Sequence, residues 1–251
     1  MPCVDVLVLA PHPDDAEIYC GGLLLKAKRA GFSIGVIDVT QGEMGTRGTR
    51  HTRKKEAAAA SRFLKLDVRE NCGMPDGGLC DDGKLRSLLV ARMRKYRPGV
   101  VLAPHWEDQH PDHAALGQAA IHAAYLAGVP KFAPRSARGI ASPGRLPYRP
   151  RQILHYNNRY GIKADVVVDV SDVYSEKVEA IRCFESQFGA APLRHGHDAE
   201  PQTRLSNEKF FEWFRGIHLF YGFQAGVEYG EAYCVKNPVC VGNVDLLLGK
   251  W

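Results

Sequence analysis

The run Ala10-Pro11-His12-Pro13-Asp14-Asp15 places an imidazole and two adjacent carboxylates directly after the apolar, β-branched residues 4–9. A second run, Pro104-His105-Trp106-Glu107-Asp108-Gln109-His110-Pro111-Asp112-His113, is dense in the same groups and follows the apolar stretch Val100-Val101-Leu102-Ala103. His12, Asp15 and His113 together offer two ring nitrogens and a carboxylate, the ligand set of a catalytic zinc that keeps a fourth position open for water. Zinc held in this way lowers the pKa of its water toward about 7 and polarises a substrate carbonyl. Asp14, next to a ligand in sequence, is then the candidate general base. His110 and Asp112 form an assisting pair: one stabilises an oxyanion or protonates the leaving group, and the other orients its neighbour. A single Asp ahead of a helix is ordinarily an N-cap, so the recurrence of the pattern argues for chemistry. For His51, His105, His122, His155, His195, His197 and His218 a surface position is expected.

Both runs need the same support, a buried strand before them and a helix after them. Residues 4–9 read as a strand and residues 16–29 as a helix ending before Gly31. Residues 33–40 form a second strand, and a loop with Gly42, Gly45 and Gly48 follows it. Thr52 is the expected cap of a helix to about residue 64, with Arg53 in its exposed first turn. A short strand at 68–72, a turn at Pro75-Asp76-Gly77-Gly78 and a helix to Tyr96 lead into the strand at 100–103. An Ala-rich helix then covers 114–126. This alternation predicts an α/β fold with a mostly parallel, doubly wound sheet and helices on both faces. In the strand order 3-2-1-4-5, strands 1 and 4 are neighbours across the topological switch point, so the two His/Asp turns face one crevice.

Beyond it, residues 129–151 hold five prolines and several arginines and read as an irregular loop, either a flap or plain surface. Strands at 152–156 and 164–170, helices at 173–184 and 208–220, and a second irregular stretch at 186–206 complete the pattern. The whole chain, 1–251, reads as a single domain, with 1–128 carrying the metal site and 129–251 completing it.

Composition narrows the class. With 251 residues, 45% apolar and 24% charged, the chain is an ordinary globule. Its first apolar run contains Asp5 and is far shorter than the roughly 20 residues of a membrane span, which predicts a cytoplasmic protein without a membrane partner. Seven cysteines without a C-x-x-C support neither a disulfide framework nor a zinc ribbon, and most are expected as buried thiols. Arg47, Arg50, Arg53, Lys54 and Lys55 cluster beside His51, either as a solvated face or as a site for an anionic small molecule. Nucleic acid is disfavoured because no aromatic interleaving accompanies them. Arg53 and Arg47 are the candidates to hold such an anion.

Pro11-His12-Pro13-Asp14-Asp15, paired with His110-Pro111-Asp112-His113, resembles the motifs of the PIG-L-type (LmbE-like) zinc-dependent N-acetylglucosaminyl deacetylases. Gly42-Glu43-Met44-Gly45-Thr46-Arg47-Gly48-Thr49, Arg53-x-x-Glu56-Ala57, Phe184-Glu185-Ser186-Gln187-Phe188 and Gly230-Glu231-Ala232-Tyr233 are similar to the branch that makes bacillithiol. The resemblance implies a Rossmann-like fold, hydrolysis of an N-acetyl group from a glucosamine unit and a homo-oligomer. By position it implies His12, Asp15 and His113 as zinc ligands, Asp14 as base, His110 and Asp112 as the assisting pair, and Arg53 at the substrate. An N-acetylglucosaminyl malate is one substrate it suggests. His51 stands where the branch commonly has an acidic residue, and loop 129–151 departs from its counterpart; both bear on the substrate and neither on the metal chemistry. The rival readings are a metal-dependent hydrolase of another amide or a phosphoester, a Rossmann-type nucleotide-binding module, and an inactive, metal-stabilised interaction protein. The nucleotide module lacks a G-x-G-x-x-G after the first strand, and the intact base candidate Asp14 argues against the inactive form.

Overall fold

The computed structural model describes residues 3–134, 146–156, 163–189, 194–195 and 198–239. The N-terminal part alternates β1 (Val6–Ala10), α1 (Asp15–Arg29), β2 (Ile34–Thr40), α2 (Arg50–Phe63), β3 (Val68–Met74), α3 (Gly83–Tyr96), β4 (Val100–Pro104) and α4 (Pro111–Ala127). There follow β5 (Gln152–Tyr156), β6 (Val166–Asp169), α5 (Tyr174–Arg182) and α6 (Glu185–Phe188). A two-residue ladder of β7 (Arg194–His195) with β8 (Asp198–Ala199), then α7 (Phe210–Ala225) and β9 (Gly230–Cys234), complete the described chain.

The main sheet has seven strands in the order β3-β2-β1-β4-β5-β9-β6. From β3 to β5 all pairs are parallel, with Val6 of β1 opposite both Ile34 of β2 and Val100 of β4. The expected 3-2-1-4-5 order is therefore present, and β1 and β4 are neighbours. Every residue of β1 and β2 is buried, as continuous apolar runs in a covered parallel sheet must be. Alternation along β1 feeds two cores: Val6, Val8 and Ala10 pack with α1, α2, α5 and α7, whereas Leu7 and Leu9 pack with α3 and α4.

β9 departs from the expected pattern. It inserts between β5 and β6 and runs antiparallel to both. Its sequence, Gly-Glu-Ala-Tyr-Cys, has neither the β-branched content nor the alternation that marks a strand, and its burial comes from tertiary packing. Glu231, 2% exposed, explains the presence of a charge there. Its carboxylate accepts the backbone N–H of Gly22 at 2.6 Å and of Leu23 at 2.8 Å, the Tyr233 hydroxyl at 2.9 Å, and the fully buried Lys177 ammonium at 2.5 Å. Lys177 also donates to His218 Nε2 at 2.9 Å. Removing one partner of such a pair strands the other charge. Lys177→Met is thus expected to destabilise the fold by about 3–5 kcal/mol, read as a shift of the urea midpoint at unchanged slope.

Other expectations are corrected. The cap of α2 is Thr49, whose Oγ1 accepts from Thr52 N at 3.2 Å, so the helix begins earlier than Thr52. His105, His155 and His218 are buried, while His51 and His122 are exposed as expected; the side chain of His195 and all of His197 lie outside the described residues. Among the described cysteines all are free, with Cys20 and Cys234 buried but Cys3 and Cys80 exposed. The tip of loop 129–151, on which the flap reading rests, falls outside the described residues. No described helix is long and apolar enough to cross a membrane.

Candidate metal centre and active site

The strand-to-helix turns after β1 and β4 meet at the switch point, in a cleft of about 460 Å³ whose wall includes His12, Asp14, Asp15, Arg53, His110 and His113. Asp15, at the start of α1, accepts the His12 backbone N–H on Oδ2 at 2.8 Å. The same oxygen stands 3.2 Å from His12 Nδ1 and 3.4 Å from His113 Nε2. One ligand atom each from His12, Asp15 and His113 thus lies within 4.8 Å of the other two. His113 Nδ1 is buried without a hydrogen-bond partner, with Asp108 Oδ2 nearest at 3.7 Å. Two nitrogens and a carboxylate oxygen around one point are a donor set for a borderline divalent ion. His12, His110 and Asp112 form a second such triple. It fits a metal less well, because Gly77 N at 2.7 Å and Leu79 N at 2.9 Å already occupy the Asp112 oxygens. The Asp112 backbone N–H likewise donates to His110 Nδ1, at 3.2 Å.

The side chains of His12, Asp15 and His113 are strongly coupled to one another. Burial opposes a charge on His12, but hydrogen bonds to Asp112, Asp15 and Asp76 outweigh it and hold its pKa up at about 12. Burial likewise works against ionised Asp15, yet His113 and His12 keep it well below the usual carboxylate range. A metal bound through His12 would need that ring neutral and would have to displace its proton. Loading the metal-free protein near pH 7 is expected to release protons into a weak buffer, and affinity to fall as pH is lowered; titration with pH indicator dye checks both.

Asp14 sits at the N-cap position of α1, but its side chain makes no capping bond. Its φ of 123° lies in the region that strains any residue with a Cβ. Its carboxylate is directed instead to Arg53, with Oδ1 3.1 Å from Nη2. Burial pushes the Asp14 pKa up to about 7, with Arg53 opposing.

Arg53 itself is not in an exposed turn. It is 4% exposed, bonded to Asp14 and to the Pro13 carbonyl. The glycine loop is shaped around it: a Cβ on Gly42, where φ is +66°, would stand 3.0 Å from Arg53 Cζ, and one on Gly45 3.3 Å from Nη1. Arg47 is not among the residues lining the cleft; it is 1% exposed and donates from Nη1 to the Gly189 carbonyl at 2.7 Å. The basic run therefore places neither guanidinium free for an anion. Arg53→Met is expected to lower kcat about tenfold or more through Asp14, while leaving the ratio of kcat/KM between acidic and neutral glycosides unchanged.

Asp76 was legible only as part of a turn. In the fold its Oδ1 is 3.0 Å from His12 Nε2 and its Oδ2 accepts Met44 N at 2.8 Å, so it fixes the His12 ring from the loop after β3. Tyr19, stacked on Tyr156 at 4.9 Å, also lines the cleft beside His113. Among the described lining residues Asp14, Asp15, Asp76 and Asp108 are the carboxylates, and Arg53 is the one arginine or lysine.

A Rossmann-like α/β sheet with a His/Asp/His cluster at its switch point is a framework suited to metal-assisted hydrolysis. Residues 7–124 match the family described as PIG-L: GlcNAc-PI de-N-acetylase. The diacetylchitobiose deacetylase of Thermococcus kodakarensis is 30% identical over 236 residues, covering 90% of this chain and 80% of that protein. A probable N-acetyl-alpha-D-glucosaminyl L-malate deacetylase 2 of Bacillus subtilis is 27% identical, covering 72% of this chain and 82% of that protein. A conserved protein of Thermus thermophilus of solved structure superposes with a TM-score of 0.80 at 36% identity, covering 95% of this chain and 97% of its own. The chain belongs to the PIG-L de-N-acetylase family.

Proposed function

We propose that this protein is a zinc-dependent hydrolase that converts the acetamide of an N-acetylglucosamine unit in a small glycoside, with water, to acetate and a free amine. The observation that carries the reading is the clustering of His12, Asp15 and His113 with Asp14 alongside, held by Arg53 in the same cleft. Those three ligands would hold zinc, which when bound supplies a Lewis acid for the carbonyl and an acidified water.

The remaining work falls to the chain's own side chains. Asp14, its carboxylate fixed by Arg53, accepts the proton of the attacking water and can return it to the departing amine. Because His110 Nδ1 accepts the Asp112 backbone N–H, the ring proton of neutral His110 resides on Nε2. Burial, with His12 and His113 nearby, lowers the His110 pKa and keeps it neutral. His110 thus offers a donor to the oxygen that becomes negative in the tetrahedral transition state. Asp112 and Asp76 orient His12 from the side away from Asp15.

A neutral glycoside is favoured over the anionic one suggested by the basic run, since Arg53 is taken up by Asp14 and Arg47 does not line the cleft, which leaves neither guanidinium for an acidic aglycone. Acetate release from N,N'-diacetylchitobiose and from N-acetylglucosaminyl malate, with metal analysis of the same samples, tests this. Release from the neutral substrate is expected to be the faster; release from neither, or zinc-independent release, overturns the proposal. It carries with it a cytoplasmic location and a homo-oligomeric state, checked by fractionation and light scattering.

A further inference from the structure

Asp15 opens α1, and Ile18 and Tyr19, three and four residues further on, fall on the same face of that helix, one turn from the ligand candidate. Both line the metal cleft, Ile18 buried and Tyr19 half-buried. The Tyr19 ring is backed by Tyr156, with centroids 4.9 Å apart and planes 16° from parallel. Tyr156 is 1% exposed, and its hydroxyl donates to the Leu9 carbonyl at 2.9 Å, which pins the backing ring to β1. Tyr19 also meets His113, at 5.9 Å between ring centroids and with the planes at 76°. A ring held between a buried aromatic and a ligand candidate cannot turn aside without losing the stack.

Much of the remaining wall is polar, with Asp14, Arg53, Asp76, Asp108 and His110 supplying charges and hydrogen bonds. An acetamide brings one apolar group to such a centre, its methyl. Packing that methyl against a charged surface would desolvate the charge without return, whereas packing it against an apolar one removes both surfaces from water. Met44 and Pro111, also in the wall, are exposed. The sheltered apolar surface in contact with a ligand candidate is that of Tyr19, with Ile18 beside it. We propose, resting on the deacetylase reading above, that Tyr19 is a specificity-determining residue that sets acyl length. Its ring and Ile18 form the floor on which the acetyl methyl packs, and Tyr156 behind that ring denies depth to a longer chain. The substrates selected are thus N-acetyl amino sugars over their N-propionyl and N-butyryl counterparts.

One glucosamine glycoside carrying an N-acetyl, N-propionyl or N-butyryl group tests the assignment, with release of the acid measured on zinc-loaded wild type and variants. In the wild type kcat/KM is expected to fall about tenfold or more for each added methylene. Tyr19→Ala should bring the butyryl substrate to within about threefold of the acetyl one, while Tyr19→Phe, which keeps the ring, should retain the wild-type ratio. Partial loss of fold or metal lowers all three substrates alike and leaves that ratio unmoved. Tyr19→Leu, which keeps an apolar group on Tyr156, is the companion should Tyr19→Ala melt early, and its ratio should fall between. Calorimetric titration of the zinc-loaded proteins with acetate and with butyrate should give the same order without turnover. Acetate release with a wild-type profile flat in acyl length, or a Tyr19→Ala profile as steep as the wild type's, overturns the acyl floor and leaves the deacetylase reading standing. Release of no acid from any of the three by the wild type overturns both.

Discussion

Asp14→Asn is expected to keep its full complement of metal and to lose about 10²–10⁴-fold or more in kcat, the range that general-base catalysis contributes. The substitution is chosen to be conservative in three respects. An amide has the shape of the carboxylate; Asn tolerates positive φ about as well as Asp at a residue where φ is 123°; and no capping bond is at stake, since the Asp14 side chain makes none. What changes is the ability to accept a proton, together with the ion pair to Arg53. Metal content and acetate release measured on the same preparation separate loss of the base from loss of the site. Near-normal turnover would reduce Asp14 to a strained cap and move the base elsewhere.

The second large effect is loss of the metal itself. His113→Ala removes one of three clustered ligand atoms, and its neighbours His12 and Asp15 cannot alone satisfy a tetrahedral ion. Zinc content should fall sharply and hydrolysis should cease. The stabilisation that zinc confers on the wild type in thermal melts should disappear as well, because a ligand that no longer binds the native state no longer shifts its unfolding. His110→Ala is the companion measurement: it should retain zinc and lose rate, since His110 contributes a donor and not a ligand in the proposed arrangement. Full zinc occupancy in His113→Ala would remove His113 from the ligand set.

The two metal turns were legible because each is local. His12, Asp14 and Asp15 follow one buried strand and His110, Asp112 and His113 another, and the strand order that brings them together follows from alternation of strands and helices. Arg53 shows where reading by residue type fails. Arg53, Glu56, Ala57 and Ala60 are the buried positions of α2, at helical spacing, so the inward face was written in the sequence. Two of its members are charged, however, and a basic first turn reads as solvent-exposed; burial is tolerated because Arg53 meets Asp14 and Glu56 accepts from Ser186 N and Oγ, each at 2.7 Å. Asp76 could not be placed at all without the fold. Its role depends on β3 lying two strands from β1, a long-range fact that a Pro-Asp-Gly-Gly turn does not carry. β9 was missed for a related reason, its pairing being set by neighbours on both sides and not by its own pattern.

Glu231 gives this last strand a bearing on how the protein is made. The helix that begins with Asp15 is gripped at Gly22 and Leu23 by a residue 209 and 208 positions further along the chain. During synthesis the segments that carry every candidate zinc ligand leave the ribosome long before the strand that fastens α1. Contacts of such separation form slowly, since the loop between them must first be closed. A nascent chain of the first half would therefore carry all three candidate ligands, with Asp15 at the head of a helix not yet anchored, and a metal captured at that stage would meet them in an unfinished arrangement. Folding of the cleft is consequently ordered in time: the turns that carry His12, Asp15 and His113 are made first, and the strand that fastens α1 only when nearly the whole described chain has been made.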